Sequence, residues 1–274
     1  MAEISAADVM KLRKLTGAGM MDCKSALAEA EGDYERAIEI IREKGKVVAS
    51  KRADREATEG AVLGKVAGKK AGILVLNCET DFVAKNQGFV ELTEKMLDLA
   101  LASNAKTLED ALALQMDGRT IADIIVEQTG VIGEKLQLSY FETIEAESVI
   151  AYIHPGNKLA TVVGFNKADV EKQVAKDVAM QAAAMSPVAV DKDDVPAEVV
   201  AKELEIAKEK FRMEGKPEAM LEKIAQGALT KFFNENTLLN QSFVKDSKIT
   251  VRQYLASNDK DLTVTSFLRY GLGD

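Results

Sequence analysis

The chain has 274 residues, of which 47% are hydrophobic and 29% charged; this is ordinary for a globular protein and long enough for one large domain or two to three small ones. Its net charge of −8 argues against a general nucleic-acid binder, because phosphate contacts need a surplus of Lys and Arg on at least one face. A single histidine, His154, excludes a metal site built on imidazoles, and the two cysteines, Cys23 and Cys78, lack a CxxC spacing and fit a reducing compartment.

The first residues, Met1-Ala2-Glu3-Ile4-Ser5, have neither a basic region nor an apolar core, and no run approaches membrane-spanning length. The expectation is a cytoplasmic protein with no membrane and no nucleic-acid partner. Ser5 with Asp8 predicts a capping arrangement, followed by Val9, Leu12 and Leu15 on one helix face, with a stop at Gly17-Ala18-Gly19. A second helix over about 22–30 ends at Gly32. Asp33 then caps a third, which carries Ala37, Ile38 and Ile41 and is expected to end before Gly45. Three short helices make a bundle with only a small core. From Arg42 to Arg55 the chain is locally basic, with Arg42, Lys44, Lys46, Lys51, Arg52 and Arg55, and reads as a solvated linker helix.

Two apolar runs, 61–66 and 73–76, flank a Gly-bounded turn and predict a β-hairpin. The glycines of 60–65 are spaced one residue too closely for a phosphate-binding loop, and Val66 stands where Ser or Thr would hold magnesium. Next comes Asn77-Cys78-Glu79-Thr80-Asp81-Phe82-Val83-Ala84-Lys85-Asn86, a strand-to-helix corner. Corners of this kind lie at the surface between rigid elements and can present a carboxylate and a phenyl ring outward. Periodicity alone also allows Thr80 or Asp81 to be a helix cap and Phe82 to fold back into the core.

A helix over about 87–102, another over 121–129 and a strand over 136–141 complete a module. The pattern then repeats. Runs 149–153 and 159–165 make a second hairpin, followed by a helix over about 170–185, which points to internal duplication. The second corner, Asn166-Lys167-Ala168-Asp169, has no Asp-Phe pair. An insertion over 187–227 spaces Val200, Leu204, Ala207 and Phe211, breaks at Gly215-Lys216-Pro217, and resumes with Leu221 and Ile224. It predicts an antiparallel helical hairpin, open between a projecting arm that docks or self-associates and a hairpin packed on its own module. Residues 232–243 read as a loop, 251–256 as a short helical or bridging segment and 264–270 as a final strand.

Two segments resemble signatures of the bacterial elongation factor Ts family. One runs Leu12-Arg13-Lys14-Leu15-Thr16-Gly17-Ala18-Gly19-Met20-Met21-Asp22-Cys23-Lys24-Ser25-Ala26-Leu27, the other is the corner over 77–85, and Tyr152-Ile153-His154-Pro155-Gly156 is a looser third. The resemblance implies an α+β fold in three parts. These are a small ubiquitin-associated-like three-helix bundle with its linker (1–55), and two related subdomains with antiparallel sheets (56–145 and 146–274), the second carrying the inserted hairpin (187–227). It also implies a guanine-nucleotide exchange factor for elongation factor Tu, GDP-bound and nucleotide-free, with no catalytic chemistry, cofactor or metal of its own. Thr80, Asp81, Phe82 and Val83 would dislodge the partner's magnesium, while Arg13, Met20, Met21 and His154 would make further partner contacts. Val75 departs from the family pattern, where a glutamate is common, and many members continue past the last strand into a C-terminal helix where this chain stops. The alternative is an adaptor that binds other proteins through the N-terminal bundle. An enzyme using His154 with Cys23 or Cys78 has no spacing in its favour.

Overall fold

The computed structural model describes residues 4–274. Met1 to Glu3, part of the segment read above for a leader, lie outside the described residues. Three helices open the chain, α1 (Ala6–Thr16), α2 (Met20–Glu29) and α3 (Tyr34–Lys51). Ser5 and Asp8 form the expected capping box on α1, and Asp33 caps α3 through the N–H groups of Glu35 and Arg36. Val9, Leu12, Cys23, Ala26, Leu27, Ala37 and Ile40 make the bundle core. Leu15 does not join it. Steps of three drift by about 60° around a helix, whereas three followed by four hold a face, so Thr16 is buried and Leu15 is left exposed.

Helix α3 also passes through Gly45 instead of ending before it. The glycine serves a close helix crossing there, not a stop: a methyl built on Gly130 of the later helix α7 (Ile121–Ile132) would overlap Gly45 Cα. Basic residues of the run read as a solvated linker are partly engaged, since Arg42 pairs with Glu127 at 3.5 Å and Arg52 with Glu79 at 2.7 Å.

Strands β1 (Glu59–Ala67) and β2 (Lys70–Cys78) form a hairpin, and α4 (Asp81–Ala84), α5 (Gln87–Ala102), α6 (Leu108–Ala113), the short β3 (Gln115–Met116) and β4 (Arg119–Thr120), α7 and β5 (Gln137–Glu145) follow. The second half has β6 (Ser148–Ile153), β7 (Leu159–Phe165), α8 (Lys172–Met185), α9 (Ala197–Met213), α10 (Glu218–Asn236), β8 (Ser242–Phe243), β9 (Asp246–Thr250), α11 (Val251–Asn258) and β10 (Val264–Gly271). The main sheets have strand orders β1-β2-β5 and β10-β7-β6, with every pairing antiparallel. Each is a hairpin whose second strand becomes the centre when a later strand adds beside it. The shared order is the topological mark of the duplication read from the sequence.

Alternation along the strands assigns two faces to each sheet. In the first, Ala61, Leu63, Leu74 and Leu76 face α5, α6 and α7 with Phe89, Met96, Leu97 and Ile121. Val62, Ile73 and Val75 instead meet Ala160 and Val162 of β7. In the second, Val163 and Phe165 pack beneath α8 and α11. The sheets therefore stack face to face, with helices on both outer sides. The hairpin α9/α10 packs chiefly on itself and projects. Its second helix runs to Asn236, so residues 232–236 are helical and not loop. They continue the turn-by-turn pattern of Leu221, Ala225 and Leu229, the buried face of α10.

Cys78 closes β2 inside the core, and burial first, then the charges of Glu134 and Glu59, push its thiol up to about 12. The folded state thus favours the neutral thiol. Its contribution to stability is full below the ordinary thiol value of about 8.5 and is lost as pH rises through about 12. A Cys78→Ala variant should therefore lose less stability than the parent chain between about pH 9 and 11, followed by urea unfolding. For the helix crossing, Gly130→Ala should cost about 1–3 kcal/mol by overpacking. In Gly45→Ala the new methyl would sit 3.6 Å from Glu127 O, and helix propensity favours it by about 1 kcal/mol. Thermal melts that fall by the same amount in both variants would contradict this asymmetry.

Candidate functional site: the corner after the central strand

The corner leaves the sheet at Cys78, whose thiol donates to Thr80 O at 3.2 Å. Thr80 is extended and caps α4, its hydroxyl accepting the Val83 N–H at 3.4 Å. Asn86 caps α5 in turn, accepting from Gly88 and Phe89. The capping role open in the sequence thus falls to Thr80. Val83 packs against the core and Ala84 is buried. With those two turned inward on a one-turn helix, Phe82 is left on the outer side. It does not fold back into the core: it is 84% exposed, the most exposed of the large apolar residues described.

Asp81 beside it accepts from the Lys85 ammonium at 2.6 Å, and that bond chiefly holds its carboxyl below the usual range. A further lowering comes from Lys158, which pairs with Glu59 at 2.8 Å. Lys158 belongs to the turn between β6 and β7, which docks on the first sheet through Val62 N–H to Asn157 O at 2.8 Å. His154 opens that turn. It is exposed, with Nδ1 3.0 Å from the Tyr152 hydroxyl. The fold therefore brings the His154 turn of the second module toward the corner of the first.

Arg13, Met20 and Met21 stand apart, on the last turn of α1 and the first of α2, all exposed. Met10 and Leu15 are exposed on α1 as well. Met10 was not singled out in the sequence, and Leu15 was placed there on the buried face, although its position outside the three-four spacing was a readable sign of exposure. The bundle reaches the corner at the end of α3, where Arg52 and, at 3.8 Å, Arg55 meet the Glu79 carboxylate.

Glu134 and Lys135 are the residues that sequence reasoning missed. Glu134 lies after Gly133, which ends α7 with φ +78°, a left-handed turn that glycine adopts without steric cost. Its Oε2 accepts from the Glu79 and Thr80 N–H groups at 3.1 and 3.0 Å, and its Oε1 from the Thr80 hydroxyl at 2.6 Å. In return the Lys135 N–H donates to Glu79 Oε1 at 2.6 Å, the principal cause of the lowered Glu79 carboxyl, which Arg52 and Arg55 reinforce. The Lys135 ammonium donates to Ala53 O and Arg55 O, both at 2.8 Å.

The equivalent corner of the second module is tied to the segment over 259–263. Asn166 donates to Asp261 O at 2.8 Å and accepts from the Thr263 N–H at 2.9 Å, and Lys167 pairs with Asp259. Only the first corner presents an aromatic ring. Among the described residues no group of three His, Cys, Asp or Glu is placed to hold a metal ion, and no helix is long and apolar enough to cross a membrane.

A family model described as elongation factor TS matches residues 79–274, beginning at the corner itself. An elongation factor Ts of Porphyromonas gingivalis is 55% identical over 266 residues, covering 97% of each chain. One from Flavobacterium psychrophilum is 54% identical over 276 aligned residues, covering both chains completely. One from Azobacteroides pseudotrichonymphae is 53% identical over 265 residues and 97% of each chain. On this likeness, which spans the bundle, both sheets and the hairpin, the chain belongs to the elongation factor Ts family of translation elongation factors.

Proposed function

We propose that the chain is a guanine-nucleotide exchange factor that binds elongation factor Tu and promotes GDP release by displacing the partner's magnesium. The observation that carries this reading is Phe82, a phenyl ring held outward at 84% exposure on a corner capped at both ends. An exposed ring forgoes burial of about 2 kcal/mol, which a partner recovers by covering it. In the proposed complex Phe82 is driven between elements of elongation factor Tu. Asp81, already ionised and held by Lys85, hydrogen-bonds nearby backbone or disturbs the water shell of the metal. Magnesium tolerates little departure from octahedral geometry, so a small displacement of its support weakens both the ion and the nucleotide it bridges. Thr80 and Val83 frame the pair, one as cap and one as anchor in the core.

Arg13, Met20 and Met21 on the bundle, with His154 on the β6–β7 turn, make the remaining partner contacts in this proposal. Residues 1–55 dock, 56–145 carry the wedge, and 146–274 support it. Linkage requires the coupling to be reciprocal: a factor that prefers the empty partner is itself weakened by nucleotide to the same degree.

Release of a fluorescent GDP from elongation factor Tu tests the proposal. Loss of about 2 kcal/mol from the transition state should slow release about thirtyfold in Phe82→Ala, and Asp81→Ala should slow it about tenfold. Both variants should keep the parent circular dichroism, since neither side chain belongs to a core. A double variant that releases GDP at the parent rate would reduce the corner to architecture. Independently, titration in rising GDP should weaken the affinity of the chain for elongation factor Tu by the factor by which the chain weakens GDP; an affinity indifferent to GDP contradicts the reading.

A further inference from the structure

Glu134 is 54 residues away in sequence from the hydroxyl it accepts, yet its one carboxylate takes every free donor that the chain offers as it leaves β2: the Glu79 N–H, the Thr80 N–H and the Thr80 hydroxyl. We infer that Glu134 is a positioning residue for exchange, which acts on the partner through Thr80 by fixing the direction in which α4 presents Phe82. The inference rests on the exchange reading above and adds to it a residue that never touches the partner.

The corner is short: its ends are anchored by β2, by Val83 and Ala84 in the core and by the Asn86 cap, but among the described residues the side chain of Thr80 has no other partner than Glu134 and the Val83 N–H. Helix α4 is a single turn, Asp81–Ala84, too short to hold itself in water. Its N-cap bond from Val83 N–H to Thr80 Oγ1 is long, at 3.4 Å. Within the corner the weak thiol donor of Cys78 reaches Thr80 at its carbonyl, so beyond the cap bond the orientation of its side chain is set chiefly by Glu134. The Thr80 hydroxyl donates to Glu134 Oε1, which leaves its lone pairs free for the Val83 N–H; the same carboxylate bond that pins Thr80 therefore also orients the cap. Bonds to a carboxylate are shorter and about twice as strong as neutral ones, and the 2.6 Å bond fits that class.

The clasp is reciprocal. Glu79 on the corner accepts from the Lys135 N–H while Glu134 accepts from the Glu79 N–H, so the two segments hold each other through adjacent residues. Gly133 makes this possible. Its left-handed conformation ends α7 and turns the chain so that residues 134 and 135 run beneath the corner before β5 begins. Glu134 has no part in the bundle core, the sheet pairing or the exposed patches.

A positioning residue differs from a merely stabilising one in how its loss combines with loss of the group it positions. Stopped-flow release of fluorescent GDP, measured against the concentration of the factor, gives a plateau rate and a half-saturation point. Glu134→Ala should lower the plateau about tenfold, the loss of a charge-assisted bond, with half-saturation within about twofold because the bundle contacts are untouched. Glu134→Gln retains an acceptor for the two N–H groups and an amide that can meet the Thr80 oxygen, so it should recover most of the plateau. In a Phe82→Ala background, Glu134→Ala should add little, since there is no ring left to aim.

Slow release in Phe82→Ala with parent-like release in Glu134→Ala overturns the inference and leaves the exchange reading standing. Parent-like release in Phe82→Ala overturns both. Multiplying losses in the double variant would show that Glu134 acts by some route other than the ring. Should Glu134→Ala not fold, hydrogen exchange in the parent chain remains decisive: the Glu79 and Thr80 amides should be protected, and exchange at unprotected rates would mean that the clasp does not hold the corner.

Discussion

The double burial of β2 is the constraint on which the rest of the molecule hangs. Residues 71–78 are buried without interruption, because β1 and β5 pair with the two edges of the strand, α5 covers one face and the second sheet covers the other. A strand held on four sides has no freedom to slip: a shift of one residue would carry Leu74 and Leu76 into the space of Ile73 and Val75 and leave both layers unpacked. Gly72 marks how tight the fit is at the β5 edge. A methyl on Gly72 would stand 2.9 Å from Glu142 O, whereas one on Gly64 would meet Ala160 and Val162 only at ordinary contact distance. The last residue of this strand, Cys78, is the first of the corner, so the corner begins from a strand buried on every side.

That starting point explains how an exposed phenyl ring can be presented in one direction. Exposed side chains are free to move when their backbone is, and a loop of this length would ordinarily lie in the softest part of a fold. Here the backbone is fixed by β2 behind, the Thr80 cap within, Asn86 ahead and Glu134 beneath. The duplicated module is an internal control. Its corner follows an equally buried strand, β7, but Asn166 and Lys167 bond to residues 259–263 and no ring is offered. The two halves share strand order and differ in what the corner does with its polar groups. In one they bond to the 259–263 segment of the same module, and in the other they are gripped from below so that the outer face stays free.

Sheets, helices and duplication were legible in the sequence because each has a periodic cause: alternation or continuous apolar runs for strands, three-four spacing for helices, and repetition of the whole series for the second module. Departures fall where the deciding contact is distant. Gly45 looks like a stop, but the helix runs on through it because its backbone is crossed closely by Gly130 of a helix far along the chain. Leu15 was placed by spacing of three alone and belongs to the surface. The end of α10 was hidden by a pair of aromatics, Phe232 and Phe233, that suggest a loop but sit half-buried on the last turns of a helix. Of the candidate site, the exposed corner was readable as a place for a ring and an acid. Its grip by Glu134 and Lys135 was not, since nothing in a Gly-Glu-Lys sequence says that it will meet a threonine across the fold.

Helix α7 joins these observations into one mechanical frame. Near its C-terminal end Gly130 meets Gly45, setting the distance between α7 and α3, and Glu127 pairs with both Arg42 and Arg119. Immediately beyond, Gly133, Glu134 and Lys135 hold the corner, and Lys135 also reaches the carbonyls at the end of the α3 segment. The bundle, whose core is too small to be secure alone, is thereby referenced to the same few residues as Phe82. Two binding patches mounted on one body engage a partner as a single event: once the first is bound, the second acts at an effective concentration set by geometry instead of by diffusion. In the proposed complex, with the two patches rigidly related, docking through Arg13, Met20 and Met21 would fix where the ring arrives. This is why a small shift at the α3–α7 crossing would be felt at a site to which neither glycine belongs.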